Sequence, residues 1–384
     1  MAGSVEFDWP SLFAETTGDE PAASAVLLGG VTNTSTRLAR SLRELARLAQ
    51  SDDAIRRAVD ARDLSLLPDG ETFRRAFARL LRRYGLRTGQ GFGSTTGWGA
   101  PTWNMRPDIP LGIVATYARA DLDALEVAEA RARRARVNAT RRYRRRLDAG
   151  ARSGFDAALG LAIAFARQME DHNHLMDNSV AGILHEAVDL VGRRLVADGV
   201  LDEASDVEHL SLEELRTLDR VPDVAVTVAD RKRIVAELAS RAAPPEVIGP
   251  PSETPEARFS AEGRGLEGAV LHGVAASGGR YTGRAHVAEA SPMPPDVEQG
   301  DVLVASDAGP AWTPVFALLG AIVLDRGAVF QHAAVVAREF GIPAVLGTKD
   351  ATGVIVHGQT ITVDGSHGLV ELGQSDRSSV RAAT

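Results

Sequence analysis

The 384-residue sequence contains no cysteine. That absence excludes disulfides, thiolate metal centres and a cysteine nucleophile. Lysine is almost as scarce, with Lys232 and Lys349 the only two among 43 basic residues. Nucleotide-binding phosphotransfer modules usually hold phosphates with a lysine placed by a glycine-rich loop, and neither lysine has that setting. No apolar run approaches the roughly 18 residues needed to span a bilayer. The acidic N-terminus MAGSVEFDWPSLFAETTGDE lacks the basic-then-apolar order of a secretory signal. A cytoplasmic protein without a membrane partner is expected. The formal net charge of −8 argues against a general nucleic-acid binder.

What is present reads as a soluble globular chain, 44% hydrophobic and 24% charged, and long enough for two domains. Apolar positions recur three and four apart in TRLARSLRELARLAQ and ETFRRAFARLLRRYG, predicting amphipathic helices between about 34 and 84. The stretch RTGQGFGSTTGWGAPTWNMRPDIP, with Trp98 and Trp103, predicts an ordered loop. Helical pattern returns over about 116–148, 153–199, 211–217 and 228–242. The arginine-rich segment 131–146 reads as a solvated helix whose charge is offset by Glu126, Glu129 and Asp148.

From Ala242 the composition changes to AAPPEVIGPPSETPEARFSAEG, whose five prolines cannot sustain a helix or a sheet ladder. Beyond it, GGRYTGRAHVA and GDVLVAS alternate like strands, AIVL and PAVLG read as short buried strands, and GQTITVDGSHGLVEL reads as a closing hairpin. The fold class expected is α plus α/β. An all-α substrate-binding domain (1–242) is followed by a Pro-rich linker (243–267), a small α/β domain (268–373) and a disordered tail (374–384).

The segment LDRGAVFQHAAVVAREFGIPAVLG places His332 after a turn and at the first residues of a helix, where free backbone N–H groups favour an anion. Histidine supplies an unprotonated ring nitrogen near neutral pH and forms a phosphoramidate that transfers readily. HAAVVAREFGIPAVLG, with PAWTPVFALLGAIVLDRGA before it, resembles the swivelling phosphohistidine domain of the phosphoenolpyruvate-utilising enzymes, which include rifampin phosphotransferase. The resemblance covers about residues 268–373. It implies that His332 is the phosphorylated histidine and that Arg338 is the signature arginine. Where the family has a small hydroxyl or thiol residue before the histidine, this chain has Phe330 and Gln331. Gln331 could bond a phosphate or orient His332 as an acid or base.

In ARQMEDHNHLMDNSVAGILHEAV, residues Arg167, Asp171, His174, Asn178 and His185 fall three, four or seven apart and share a helical face, flanked by Glu170 and Asp177. This region, with YGLRTG before it and GRRLVADGVLDEASDVEHLSLEEL after it, resembles the α-helical substrate domain of rifampin phosphotransferase. The resemblance implies that this helix faces the acceptor beneath the swivelling histidine. It also matches Arg87 and Trp103 to family positions. Arg87, Trp103, Asp171, His172 and His174 together suit a hydroxylated organic acceptor. A divalent ion on Glu170, His174 and either Asp171 or His185 is the competing idea, set aside because no complete ligand set is apparent.

Full-length relatives also carry an ATP-grasp domain, or a barrel that binds phosphoenolpyruvate, to charge the histidine, and the sequence shows neither. Three readings follow. In the first, a separate ATP-grasp subunit uses Mg-ATP to phosphorylate His332, which delivers the group to a small hydroxylated substrate. In the second, a repurposed, nucleotide-independent dehydratase, lyase or cyclase of biosynthesis uses His332 as general acid or base. The third is a non-catalytic phosphocarrier, which the polar helix stripe argues against. No cofactor is expected to bind this chain alone, and homodimerisation is left open.

Overall fold

Asn33 starts the organising helix of the N-terminal region. Its side chain accepts from Thr36 N while the Thr36 hydroxyl accepts from Asn33 N, closing a reciprocal cap. The helices run α1 (Trp9–Thr17), α2 (Thr34–Ser51), α3 (Asp53–Asp60), α4 (Thr72–Tyr84), α5 (Asp108–Ala118), α6 (Leu122–Arg146) and α7 (Ala149–His172). A π-turn over Asn173–Asn178 leads into α8 (Ser179–Ala197), followed by α9 (Leu212–Arg216) and α10 (Val224–Ala239). This is a computed structural model describing residues 9–373, except 20, 69–70, 89–100, 222, 242–264, 268–269, 289–296 and 330. Most of the glycine-rich loop with Trp98, the linker up to 264, Phe330 and the tail from 374 lie outside the described residues.

The three-and-four spacing of α2 buries Leu38, Leu42, Leu45 and Ala49 against α3, α4 and α5. Helices α6 and α7 turn back on one another at Asp148, which caps α7 through Ala151 N (2.9 Å). Tyr143 and Phe155 pack together there, with Phe13 edge-on to Tyr143. The acids expected to offset the arginines of α6 are engaged elsewhere. Glu126 pairs with Arg47, and Glu129 with Arg40 and Arg43, all on α2.

The C-terminal region forms one nine-stranded sheet ordered β1-β2-β9-β8-β4-β5-β6-β7-β3. Its strands are β1 (Gly265–Glu267), β2 (Val270–His272), β3 (Val274–Ser277), β4 (Arg280–Ala288), β5 (Val302–Ala305), β6 (Ala321–Leu324), β7 (Ala344–Leu346), β8 (Thr360–Asp364) and β9 (Leu369–Leu372). Strands β4 to β7 are parallel, and every residue of β5, β6 and β7 is buried, as strands covered on both faces require. Strands β8 and β9 make the expected hairpin, Ile361 facing Leu372. The stretch read as linker ends early, because Gly265–Glu267 gains a ladder with β2. Short helices α11 (Thr313–Phe316), α12 (His332–Phe340) and α13 (Ala351–Val354) complete the α + α/β architecture.

The two regions share a core. Leu38 and Leu42 of α2 and Tyr117 of α5 belong to the same buried cluster as Phe316, Ala333, Ala334 and Ala337. Polar contacts fix the register: Tyr117 Oη donates to Pro314 O (2.7 Å), and Asp121 N donates to Gln299 Oε1 (2.7 Å). No described helix is long and apolar enough to cross a membrane.

Candidate active site

After β6 the chain turns at Gly327, whose φ of +133° few side chains tolerate and whose added Cβ would lie 3.0 Å from Leu346 Cβ. Extended Gln331 then leads directly into α12. His332 therefore projects from the first turn of a helix toward the helical region, with its side chain 12% exposed.

Both ring nitrogens are engaged. Nδ1 lies 3.0 Å from Glu170 Oε1 and 3.0 Å from the Asn173 amide; Nε2 lies 2.8 Å from Thr313 Oγ1. Burial alone would raise the Glu170 carboxyl, but the charge and hydrogen bond of His332, the Ser35 hydroxyl and Arg87 outweigh it and lower it below the ordinary value. A carboxylate on that side fixes the proton on Nδ1, which donates to Glu170, and leaves the lone pair on Nε2. The Asn173 atom facing Nδ1 is the amide nitrogen Nδ2, which cannot accept that proton, so the bond that fixes the tautomer is the one to Glu170. Thr313, fully buried, then donates its hydroxyl to Nε2. The result is a continuous chain Ser35–Glu170–His332–Thr313 in which the helical region supplies one half and the sheet domain the other.

Each partner is braced. Arg87, 4% exposed beneath the Trp103 ring, donates to Pro310 O (2.7 Å) just before α11. Desolvation holds its guanidinium down at about 10. The Leu86–Arg87 segment lies so close to α8 that a Cβ on Gly182 would come 2.1 Å from Leu86 O. Within the π-turn, Asn178 Nδ2 donates to Asn173 O and the Ser179 hydroxyl to His174 O, each at 2.7 Å. Such single π-turns recur at functional sites. This one slides the register expected for a continuous helix, so the buried polar set is Glu170, Asn178 and His185, with Arg167 exposed.

The remaining site candidates spread out. Asp171 accepts from the Thr34 hydroxyl and pairs with Arg37 at 3.0 Å. His172 is exposed, 3.8 Å from Asp177. His174 packs on Tyr84 with ring centroids 5.3 Å apart; desolvation and then Arg87 push it down to about 4, so it is neutral. Trp103 is buried in the helical core. Gln331 is exposed and makes no side-chain cap bond. The Arg338 guanidinium is buried away from the ring, donating to Ala276 O (2.8 Å) and to Val329 O. Its position braces β3 and the approach to His332. Among the described residues no group of three metal-ligating side chains is assembled: Glu170 turns to His332, and Asp171 to Arg37.

Sequence reasoning did not single out Thr313, Asn173, Ser35 or Glu339. Fully buried Glu339, on α12, accepts from Asn33 Nδ2, and its Oε2 has no described partner. Burial, reinforced by Glu170, holds that carboxyl well above the usual carboxylate range. A run such as VTNTST announces a helix cap. Nothing local says that Ser35 reaches a carboxylate 135 residues away.

Two family models match stretches of the chain. The rifampicin phosphotransferase fourth domain matches residues 1–170, and the PEP-utilising enzyme mobile domain matches residues 297–368. Chondramide synthase of Chondromyces crocatus is 31% identical over 93% of the chain, which covers 10% of that protein. Rifampicin phosphotransferase of a Streptomyces species is 28% identical over 97% of the chain and 44% of that protein; the Bacillus cereus enzyme is 34% identical over 47% and 20%. The chain thus carries a stretch matching the mobile domain of PEP-utilising enzymes behind one matching a rifampicin phosphotransferase domain, and its relatives include rifampicin phosphotransferases. It spans between a tenth and less than half of these relatives.

Proposed function

We propose that His332 Nε2 is the reactive atom of a phosphoryl-transfer enzyme acting on a small hydroxylated substrate held in the helical domain. The observation carrying this reading is the bond from His332 Nδ1 to buried Glu170. It sets the tautomer and offers a carboxylate to the imidazolium formed when Nε2 is phosphorylated. In the charging step Nε2 attacks the terminal phosphorus of Mg-ATP held by a separate ATP-grasp subunit. The N–P bond forms as the P–O bond to ADP breaks. In the second step the substrate hydroxyl attacks phosphorus, the N–P bond breaks, and the hydroxyl proton leaves to a nearby carboxylate. Cytoplasmic localisation fits the requirement for Mg-ATP.

The test is the intact mass of the protein after incubation with Mg-ATP and a candidate partner chain. One added phosphoryl group, absent in His332→Ala, is expected. If the partner transfers nothing, or the group also appears on His332→Ala, the reading fails.

A second reading is favoured by the hydroxyl already on Nε2, since a Glu170–His332–Thr313 relay is equally the geometry of a general acid or base. The relative that covers 93% of the chain is named a synthase. Under this reading the protein turns over a biosynthetic substrate by elimination or cyclisation with no nucleotide present. A nucleotide-free assay separates the two.

A further inference from the structure

A cavity of about 170 Å³ lies on the seam between the two regions. The helical region contributes Arg43 of α2 with Leu125 and Glu129 of α6; the sheet domain contributes Tyr281, Leu319 and Phe340. Leu125, Leu319 and Phe340 are buried and belong to the shared apolar core. Tyr281 is pinned against the wall. Its Oη donates to Gly300 O (2.8 Å), and its ring fills the space beside Gly320, where an added Cβ would come 2.0 Å from Tyr281 Cε1. Phe340 is the last residue of α12 and His332 the first, about 12 Å apart along the helix axis, so the cavity is separate from the candidate active site.

Arg43 makes the polar end. It is 5% exposed, and its Nη2 donates to Glu129 Oε2 (2.6 Å), but its Nε has no partner among the described residues. A buried guanidinium with donors left open is an exception in folded proteins and calls for an acceptor. Glu129 is already shared, since its other oxygen accepts from Arg40 Nε (2.9 Å). Burial would raise the Glu129 carboxyl, but the bonds from Arg40 and Arg43 outweigh it and hold it below the ordinary value. Two guanidiniums on one carboxylate leave one positive charge over, and Arg43 and Glu129 are the only charged residues lining the cavity. An apolar cavity of about 150 Å³ is enough to take up a benzene ring. Here the apolar walls are joined to a cation, which selects a ring or branched alkyl group carrying an acid.

We infer that the seam cavity binds a small aromatic or branched-chain carboxylate, whose oxygen accepts from Arg43 and whose apolar body lies on Leu125, Tyr281, Leu319 and Phe340. Both regions build the site, so its occupant binds the docked arrangement and not the separated one. Occupancy therefore holds α12 against the helical region, a regulatory effect that does not depend on which chemistry His332 performs.

Sodium benzoate is the probe, titrated against thermal melting of the full chain with sodium chloride holding the ionic strength constant. Benzoate should raise the melting temperature of the parent by a few degrees and slow hydrogen exchange of the α12 amides. Ala128 lines the cavity from an exposed position on α6, so Ala128→Leu adds bulk there at little cost to the helix. That variant should fold as the parent does and lose both responses, whereas His332→Ala should keep them. The inference is overturned if benzoate leaves the parent unchanged, or if folded Ala128→Leu still responds. An equal response to benzylammonium, the same ring with a cation, would remove the role of Arg43. Loss of the response in His332→Ala would place benzoate at the ring instead of the seam. A rise in melting temperature with α12 exchange unaltered would equally sink it, because the occupant would not be holding the two regions together.

Discussion

Helix α12 meets the helical domain at both ends through a buried glutamate, and the two carboxyls behave oppositely. Glu170, at the His332 end, is 2% exposed and held below its ordinary pKa; Glu339, at the other end, is 1% exposed and held far above it. Burial opposes ionisation in both cases. Glu170 has an imidazole and a hydroxyl on its oxygens, whereas Glu339 has one amide, a bare Oε2 and Glu170 itself as a neighbouring negative charge. Partners, not depth, decide which carboxyl keeps its proton.

The comparison is broken most severely by removing the ring. His332→Ala should lower turnover by on the order of 10³-fold or more while folding normally, measured as single-turnover rate alongside circular dichroism. Glu170→Gln, which keeps size but loses charge, should lower turnover by about 10²-fold. It should also flatten the acid limb of stability. A carboxyl with a lowered folded pKa contributes stability above its unfolded value of about 4.5, lost as pH falls through the folded value. Urea unfolding at several pH values would show it. Thr313→Val, nearly isosteric, should cost about tenfold in kcat with KM unchanged, because it strips only the hydroxyl from Nε2.

The smallest effect is the most telling. Glu339→Gln should leave activity intact and scarcely change stability near pH 4. A carboxyl with a raised folded pKa contributes stability that is full below its unfolded value and lost as pH climbs through the folded one. The parent should therefore weaken above pH 4.5 by an amount that Glu339→Gln abolishes. If both variants shifted the same limb, the contrast between the two carboxyls would be wrong.

Much of this was legible in the sequence. The runs VLVA and AIVL and the hairpin around Asp364–Leu369 form as expected because their patterns encode burial locally. His332 starts a helix where the turn before it dictates. Glu170 stood in the right string, but its role needed the fold, since its partners Ser35 and His332 are 135 and 162 residues distant. Thr313 and Asn173 carried no periodic signal. Arg338 matched a signature, yet its donors are spent on backbone carbonyls, which no sequence pattern distinguishes from catalysis.

The shared apolar core has a kinetic consequence. For His332 to visit a donor elsewhere, α12 and α11 must lift off α2 and α5, and Phe316, Ala333 and Ala337 must meet water. In the proposed phosphotransfer, each cycle would then include a hydration step with a large positive activation heat capacity. Turnover should show a curved Eyring plot, and mutations that tighten this seam should slow the enzyme as they stabilise it.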